Sequence, residues 1–321
     1  MKKRILAAIA AGVSTFAAGA AFAEYPERPI TMIVAYSAGG GTDIAARTLA
    51  PFIEKHLGGG ASIVVVNRPG ASGEIGFAEL AKASPDGYTI GFINTPNVVT
   101  VPIQREARYG LDDLQPIGRV IDDPGAFSVL PSSDIKTLDD LVAYAKENPG
   151  AVTYGTTGLG SDDHLAALEF EKVAGVKFSH VPFGGNADVR AATLGGHIML
   201  ANMNISETIA DVEEGTLHPL GQMAVERWDG APEIATFREQ GYDVVSGSQR
   251  GIGAPAGLPE DVAAKLEKAV ADAVADPEFR ARAEQQKLAL DYADGATFAA
   301  DLQAMHESYS TLWNDSPWME Q

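Results

Sequence analysis

The chain has 321 residues, no cysteine and a formal charge of -19 at pH 7. This excludes a disulfide scaffold, thiol catalysis and a cysteine-based zinc site, and a chain this acidic does not hold nucleic acid or an anionic membrane by bulk attraction. About 300 residues beyond the leader described next exceed one comfortable core, so two domains are expected.

Lys2, Lys3 and Arg4 open the chain, residues 5–20 are apolar and alanine-rich, and Ala21-Phe22-Ala23 is an A-x-A cleavage site. That is a secretory signal peptide over residues 1–23, with the mature chain starting at Glu24. Removing the three leader cations brings the charge to -22. No later segment is continuously apolar over a bilayer's width, so no membrane insertion is expected after cleavage. The leader has no cysteine to acylate.

Residues 30–36 then read as a buried strand, 43–56 as a helix, 62–67 as a strand, 73–82 as a helix and 89–93 as a strand. This βαβ alternation implies a parallel sheet. Asn67-Arg68-Pro69-Gly70 and Ser84-Pro85-Asp86-Gly87 are turns by composition. The rhythm restarts with a short strand at 127–130, a helix at 138–147 stopped by Asn148-Pro149-Gly150, and a strand at 152–156. Beyond a second glycine-rich turn come a helix at 162–174, a strand at 180–182, a helix at 187–194, a strand at 198–202 and a helix at 205–214. Strand segments at 244–248 and 251–254 lead to helices at 259–276, 277–286 and 297–313.

Two turns carry the chemistry. Ser37-Ala38-Gly39-Gly40-Gly41-Thr42-Asp43 joins a strand to a helix N-terminus, where free backbone N–H groups and the positive dipole end attract an anion. Thr157-Gly158-Leu159-Gly160-Ser161 repeats the device, with Ser161 as N-cap and Asp162 and Asp163 in the first helical turn. Taken singly, a tight connection explains the first and plain capping the second. The first lacks the Gly-Lys-Ser/Thr end of a P-loop, and the second lacks the third glycine of a dinucleotide fingerprint. Together, on an exported two-domain chain, they imply a ligand held between two lobes by opposed helix N-termini.

Other residues read as structural. The six histidines form no close ligand pair, and no metal or cofactor is expected. His164 fits packing, Asp43 a cap or loop acceptor, and Trp228, Trp313 and Trp318 packing. Arg190 is equally a cleft clamp or a surface salt bridge. A hydrolase built on Ser161 and His164 lacks the nucleophile-elbow geometry.

The chain resembles the extracytoplasmic substrate-binding receptors of the tripartite tricarboxylate transporter family, the Bug-type solute-binding proteins. The resemblance runs from Tyr25-Pro26-Glu27-Arg28-Pro29-Ile30 through Val66-Asn67-Arg68-Pro69-Gly70-Ala71, Tyr154-Gly155-Thr156 and His180-Val181-Pro182-Phe183. It continues through Leu194-Gly195-Gly196-His197 to Ala254-Pro255-Ala256-Gly257-Leu258-Pro259. It implies an α/β fold of the periplasmic binding protein type II kind, two α/β lobes joined by two chain crossings with a ligand cleft between them. Residues 24–125 with 242–321 would form lobe 1, and 126–241 lobe 2.

The implied function is non-enzymatic: a periplasmic monomer captures a small organic anion, a carboxylate, and delivers it to transporter membrane subunits. A sensory role with a signalling membrane partner is the alternative. The implied ligand-binding set is Ser37, Gly39, Gly40, Gly41, Thr42 and Asp43 on the first loop, with Thr156, Gly158, Ser161 and Asp162 on the second. Hydroxyls of Ser37, Thr42, Thr156 and Ser161 would hold the near carboxylate, and Asn94, Thr95, Asn186 or Asn204 would meet the far end. Three departures leave plain citrate specificity open. Asp162 and Asp163 stand where the family often has hydroxyls or proline: either they point outward as helix N-terminal acids, the preferred reading, or one contacts an amino or hydroxyl group on the ligand. Met199 and Met203 stand where an acid is usual, making that pocket edge more apolar. Glu207 replaces a small residue.

Overall fold

The computed structural model describes residues 25–319, so the leader and its cleavage site lie outside the described residues. An apolar run bounded by turn residues gives β1 (Ile30–Val34), almost wholly buried as a central parallel strand must be. Next come α1 (Gly41–Leu57), β2 (Ile63–Asn67), α2 (Glu74–Ala81), β3 (Thr89–Asn94), α3 (Asn97–Gln104) and β4 (Leu114–Val129). The second half holds α4 (Leu138–Glu147), β5 (Thr153–Thr156), α5 (Asp162–Ala174), β6 (Ser179–Pro182), α6 (Asn186–Leu194), β7 (Leu200–Asn204), α7 (Ile205–Glu213) and β8 (His218–Gln222). β9 (Gly247–Pro255), α8 (Glu260–Ala275), α9 (Pro277–Gln285), β10 (Leu290–Asp294) and α10 (Gly295–Asp315) complete it.

The strands run in the order β2-β1-β3-β9-β4-β7-β5-β6, with β8 and β10 both paired to β4. Pairing among β1, β2 and β3, and among β5, β6 and β7, is parallel, whereas β4 and β9 run antiparallel to their neighbours. This is the two-lobed α/β architecture that the resemblance implied. One core gathers Ile30, Met32, Leu49, Phe92, Leu266 and Phe298. The other centres on Phe127, whose ring lies 5.4 Å from Phe170 and 5.1 Å from Phe237 in edge-to-face contacts.

The chain passes between the cores twice, side by side. β4 crosses at Asp122–Gly125, and the return strand enters β9, where Gly247 pairs with Pro124. Gly125 N–H donates to Ser246 C=O at 2.9 Å. A Cβ on Gly247 would lie 2.6 Å from Asp123 O, so only glycine lets the crossings approach this closely.

α4 and α5 fall at the expected residues, because a Thr137–Asp140 capping box starts one and a left-handed Gly175 ends the other. Four elements went unread in the sequence: α3, β8, β10 and most of β4. Pro102 lies inside α3 and breaks its helical signal. Pro116, Gly118 and two register shifts interrupt the alternation of β4, which pairing with β9 nonetheless holds extended. Among the described residues no helix is long and apolar enough to cross a membrane.

Candidate functional site: the cleft between the lobes

The β1–α1 turn is shaped by its own side chains. Gly39 adopts a left-handed φ of 83°, and its N–H donates to Asp43 Oδ2 at 2.9 Å. Asp43 also accepts from Arg47 Nε at 2.9 Å and Asn67 Nδ2 at 3.0 Å. Burial opposes ionisation of Asp43, but these hydrogen bonds outweigh it and hold its carboxyl below the usual range. Asp43 is therefore a loop acceptor. The N-caps of α1 and α6, Gly40 and Gly185, provide no side-chain cap, so their first-turn N–H groups face the cleft uncapped.

The lobes are in contact. Ser37 Oγ donates to Asp188 Oδ2 at 2.6 Å, Ser37 N–H to Gly184 O at 3.2 Å, and Thr100 Oγ1 to Gly160 O at 2.7 Å. Between them remains a cavity of about 20 Å³, the size of one water.

Arg250 dominates that cavity. It sits on β9 opposite Asn94 of β3, 2 % exposed. Its Nη2 lies 2.5 Å from Asn204 Oδ1, 3.2 Å from Asp123 Oδ2 and 3.2 Å from Glu207 Oε1. Its Nε and Nη1 have no hydrogen-bond partner. Burial disfavours the guanidinium charge, but Glu207 and Asp123 more than restore it. Asp123, fully buried, accepts Ser206 Oγ at 2.5 Å and Ser206 N–H at 3.2 Å. Burial, aided by Glu207, pushes its carboxyl up to about 7 although Arg250 opposes the shift. Asp162, a partner of Asn204 Nδ2 at 2.8 Å, is likewise raised by burial.

Glu207 reaches from α7 across to the start of α1. A Cβ on Gly41 would lie 1.9 Å from Glu207 Oε1 and 2.6 Å from Arg250 Nη1. Gly41→Ala is therefore expected to overpack this junction and cost about 1–3 kcal/mol, read as a lower thermal midpoint. An unchanged midpoint would mean that Glu207 is not seated there.

The structure brings Gly40, Gly41, Thr42, Asn94, Asp162, Asn186 and Asn204 together around the cavity. The remaining site residues read from the sequence frame it from behind. Ser37 is engaged by Asp188, Thr156 Oγ1 by His180 Nε2 at 2.6 Å, and Ser161 Oγ by His164 N–H at 3.1 Å. Of the four hydroxyls expected to hold a carboxylate, only that of Thr42 lines the cavity. Thr95 Oγ1 accepts from Gln249 N–H at 2.8 Å. Gly39 and Gly158, both at positive φ, shape the loops.

Two further readings need correction, and a third is decided between its alternatives. Asp162 and Asp163 do not point outward; they are 6 % and 2 % exposed, and Asp162 faces Tyr36 and Arg250 of the first lobe across the cavity. Met203 packs with Val189 and Ala201, and Met199 packs against the second core, so neither makes a pocket edge apolar. Arg190 is a salt bridge, with Nε 2.5 Å from Asp211 Oδ2. His164 fits the packing reading: it lies 4.5 Å from the His180 ring, and burial pushes its pKa down to about 3. Arg250, Tyr36, Asn97, Thr157 and Ser248 also line the cavity and went unread.

A larger groove of about 1,240 Å³ runs beside the hinge between Leu165 and Glu169 of α5 and Met305 and Leu312 of α10. It has no set of opposed helix N-termini, whereas the smaller cavity lies between the starts of α1 and α6.

Two lobes, two hinge strands and a small polar cavity between them are the architecture of a solute-binding protein of the periplasmic binding type. The family model described as tripartite tricarboxylate transporter family receptor matches residues 45–306, and the chain belongs to that family. It is 34 % identical over 307 residues to the UPF0065 protein in the gbd 5' region of Cupriavidus necator, covering 92 % of this chain and 91 % of that one. The periplasmic binding protein BugD superposes with a TM-score of 0.85 at 29 % identity, covering 91 % and 98 % of the two chains. An R. palustris protein solved with adipate superposes with a TM-score of 0.84 at 26 % identity, covering 90 % and 97 %.

Proposed function

We propose that this protein is an exported receptor that closes its two lobes over a small carboxylate and presents it to the membrane subunits of a tripartite tricarboxylate transporter. The observation that carries the reading is the cavity itself. Arg250 lines it with two guanidinium nitrogens lacking partners, and the uncapped starts of α1 and α6 flank it. A carboxylate offers two oxygens and about four acceptor sites to such donors, and charge-assisted hydrogen bonds in a water-poor cleft are strong. The adipate bound by the structural neighbour supports the same ligand class.

Residues 24–125 with 242–321 would move as one lobe and 126–241 as the other, turning on the Asp122–Gly125 and 244–247 crossings. Gly40, Gly41, Thr42, Asn94, Asp162, Asn186, Asn204 and Arg250 would meet the ligand. The signal peptide over residues 1–23 would place the mature monomer in the periplasm. A thermal-shift panel of mono-, di- and tricarboxylates and amino acids is expected to give a saturable rise in melting temperature for at least one member. Saturable binding to none would overturn the reading.

A further inference from the structure

The cavity leaves groups of both signs unsatisfied, which is more than a plain carboxylate requires. Arg250 Nε and Nη1 are donors without partners, whereas Asn186 Oδ1 and Asn94 Oδ1 are acceptors without partners. Asn186 and Asn94 are 7 % and 4 % exposed, and both line the cavity. The orientation of Asn186 is fixed by chemistry. Its Nδ2 donates to Glu207 Oε2, a carboxylate oxygen that accepts, so the amide oxygen is the atom left without a partner beside the cavity. Glu207 and Asp162 line the same cavity, and with Asp123 behind them the acids outnumber the single guanidinium.

A dicarboxylate carries acceptors alone. It would satisfy Arg250 and the helix N-termini, but would leave both amide oxygens unpaired and add charge beside Glu207 and Asp162. An ammonium is the complement of that second half: three donors, no acceptor and one positive charge.

We infer that the ligand is a zwitterion, with its carboxylate toward Arg250 and the start of α1 and its ammonium toward Glu207, Asp162 and Asn186 Oδ1. This rests on the carboxylate reading above and narrows it. Glu207 is the specificity-determining residue, because it carries its charge from α7 across to Gly41 and fixes the Asn186 amide.

The test uses matched pairs that differ only by an amino group: propionate and alanine, butyrate and 4-aminobutyrate, succinate and aspartate, glutarate and glutamate. Titration calorimetry on the mature protein at pH 7 is expected to show, in at least one pair, the amino member binding about tenfold or more tightly than its partner. Glu207→Gln is expected to erase most of that preference while Arg250 still takes the carboxylate. Unaminated acids binding as tightly as their amino partners in every pair would overturn the inference and leave the carboxylate reading standing. Glu207→Gln that folds and keeps the full preference would overturn the role of Glu207. If that variant fails to fold, Asp162→Asn and the wild-type pairs decide. No binding by any of the eight compounds would overturn the inference, while the reading beneath it stands or falls by the full thermal-shift panel.

Discussion

Arg250→Met is expected to weaken carboxylate binding by about a hundredfold and to lower the melting temperature at pH 8 by on the order of 10 °C. Both effects have one cause. The guanidinium is the single positive side chain among Asp123, Asp162, Asp163 and Glu207, all four of which interact with it. Its removal strands buried carboxylates without a counter-ion, and breaking a buried ion pair from one side costs about 3–5 kcal/mol. The remedy open to the protein is to protonate them. Asp123 already titrates near 7, and losing Arg250 raises it further. The deficit of the variant relative to wild type should therefore shrink as pH falls from 8 to 5. Equal melting temperatures at pH 8 would show that Arg250 does not neutralise the cluster.

The second large effect has the opposite sign. Asp163→Asn is expected to stabilise the protein at pH 8. Burial, followed by Asp162 and Glu207, holds the Asp163 carboxyl well above the usual range, against weak opposition from the Thr157 N–H. No well-formed hydrogen bond reaches either of its oxygens. With the folded pKa raised, the native state keeps its proton while the unfolded chain ionises from about pH 4, so stability falls by about 1.4 kcal/mol per pH unit above that point. Asparagine does not titrate and escapes this loss. Thermal or urea unfolding should show the variant gaining about 2–4 kcal/mol on wild type between pH 5 and pH 8. His164 and His180, whose depressed pKa values cost stability as pH falls below about 6.5, are common to both proteins and cancel in the comparison. A difference that does not change with pH would contradict the assignment.

These two predictions rest on residues of very different legibility. The β1–α1 turn was readable because its determinants are local: an apolar strand, three glycines and a helix start within a dozen residues. The same holds for Ser161 as a cap. Glu207 was visible as an anomaly, although its reach to Gly41 was not. Arg250 left no signal at all, being one cation in a glycine-rich strand. Its importance comes from register: β9 lies between β3 and β4, setting Arg250 opposite Asn94 and Ile121. Sequence periodicity does not encode pairing across more than a hundred residues. Asp162 and Asp163 failed for a related reason. Dipole reasoning placed them correctly at a helix start, but exposure is decided by the other lobe, whose Ser72 side chain would meet a Cβ on Gly158 at 2.4 Å.

The central claim is that the ligand sits between the lobes against Arg250. A crystal structure of the mature protein with the tightest carboxylate from the thermal-shift panel tests it most directly. The expected result is ligand density bounded by Gly40, Gly41 and Thr42 on one side and Asp162 and Asn186 on the other, with a carboxylate within hydrogen-bonding distance of Arg250 Nε or Nη1. Density in the groove between Leu165 and Met305, with the cleft closed as it is here, would contradict it.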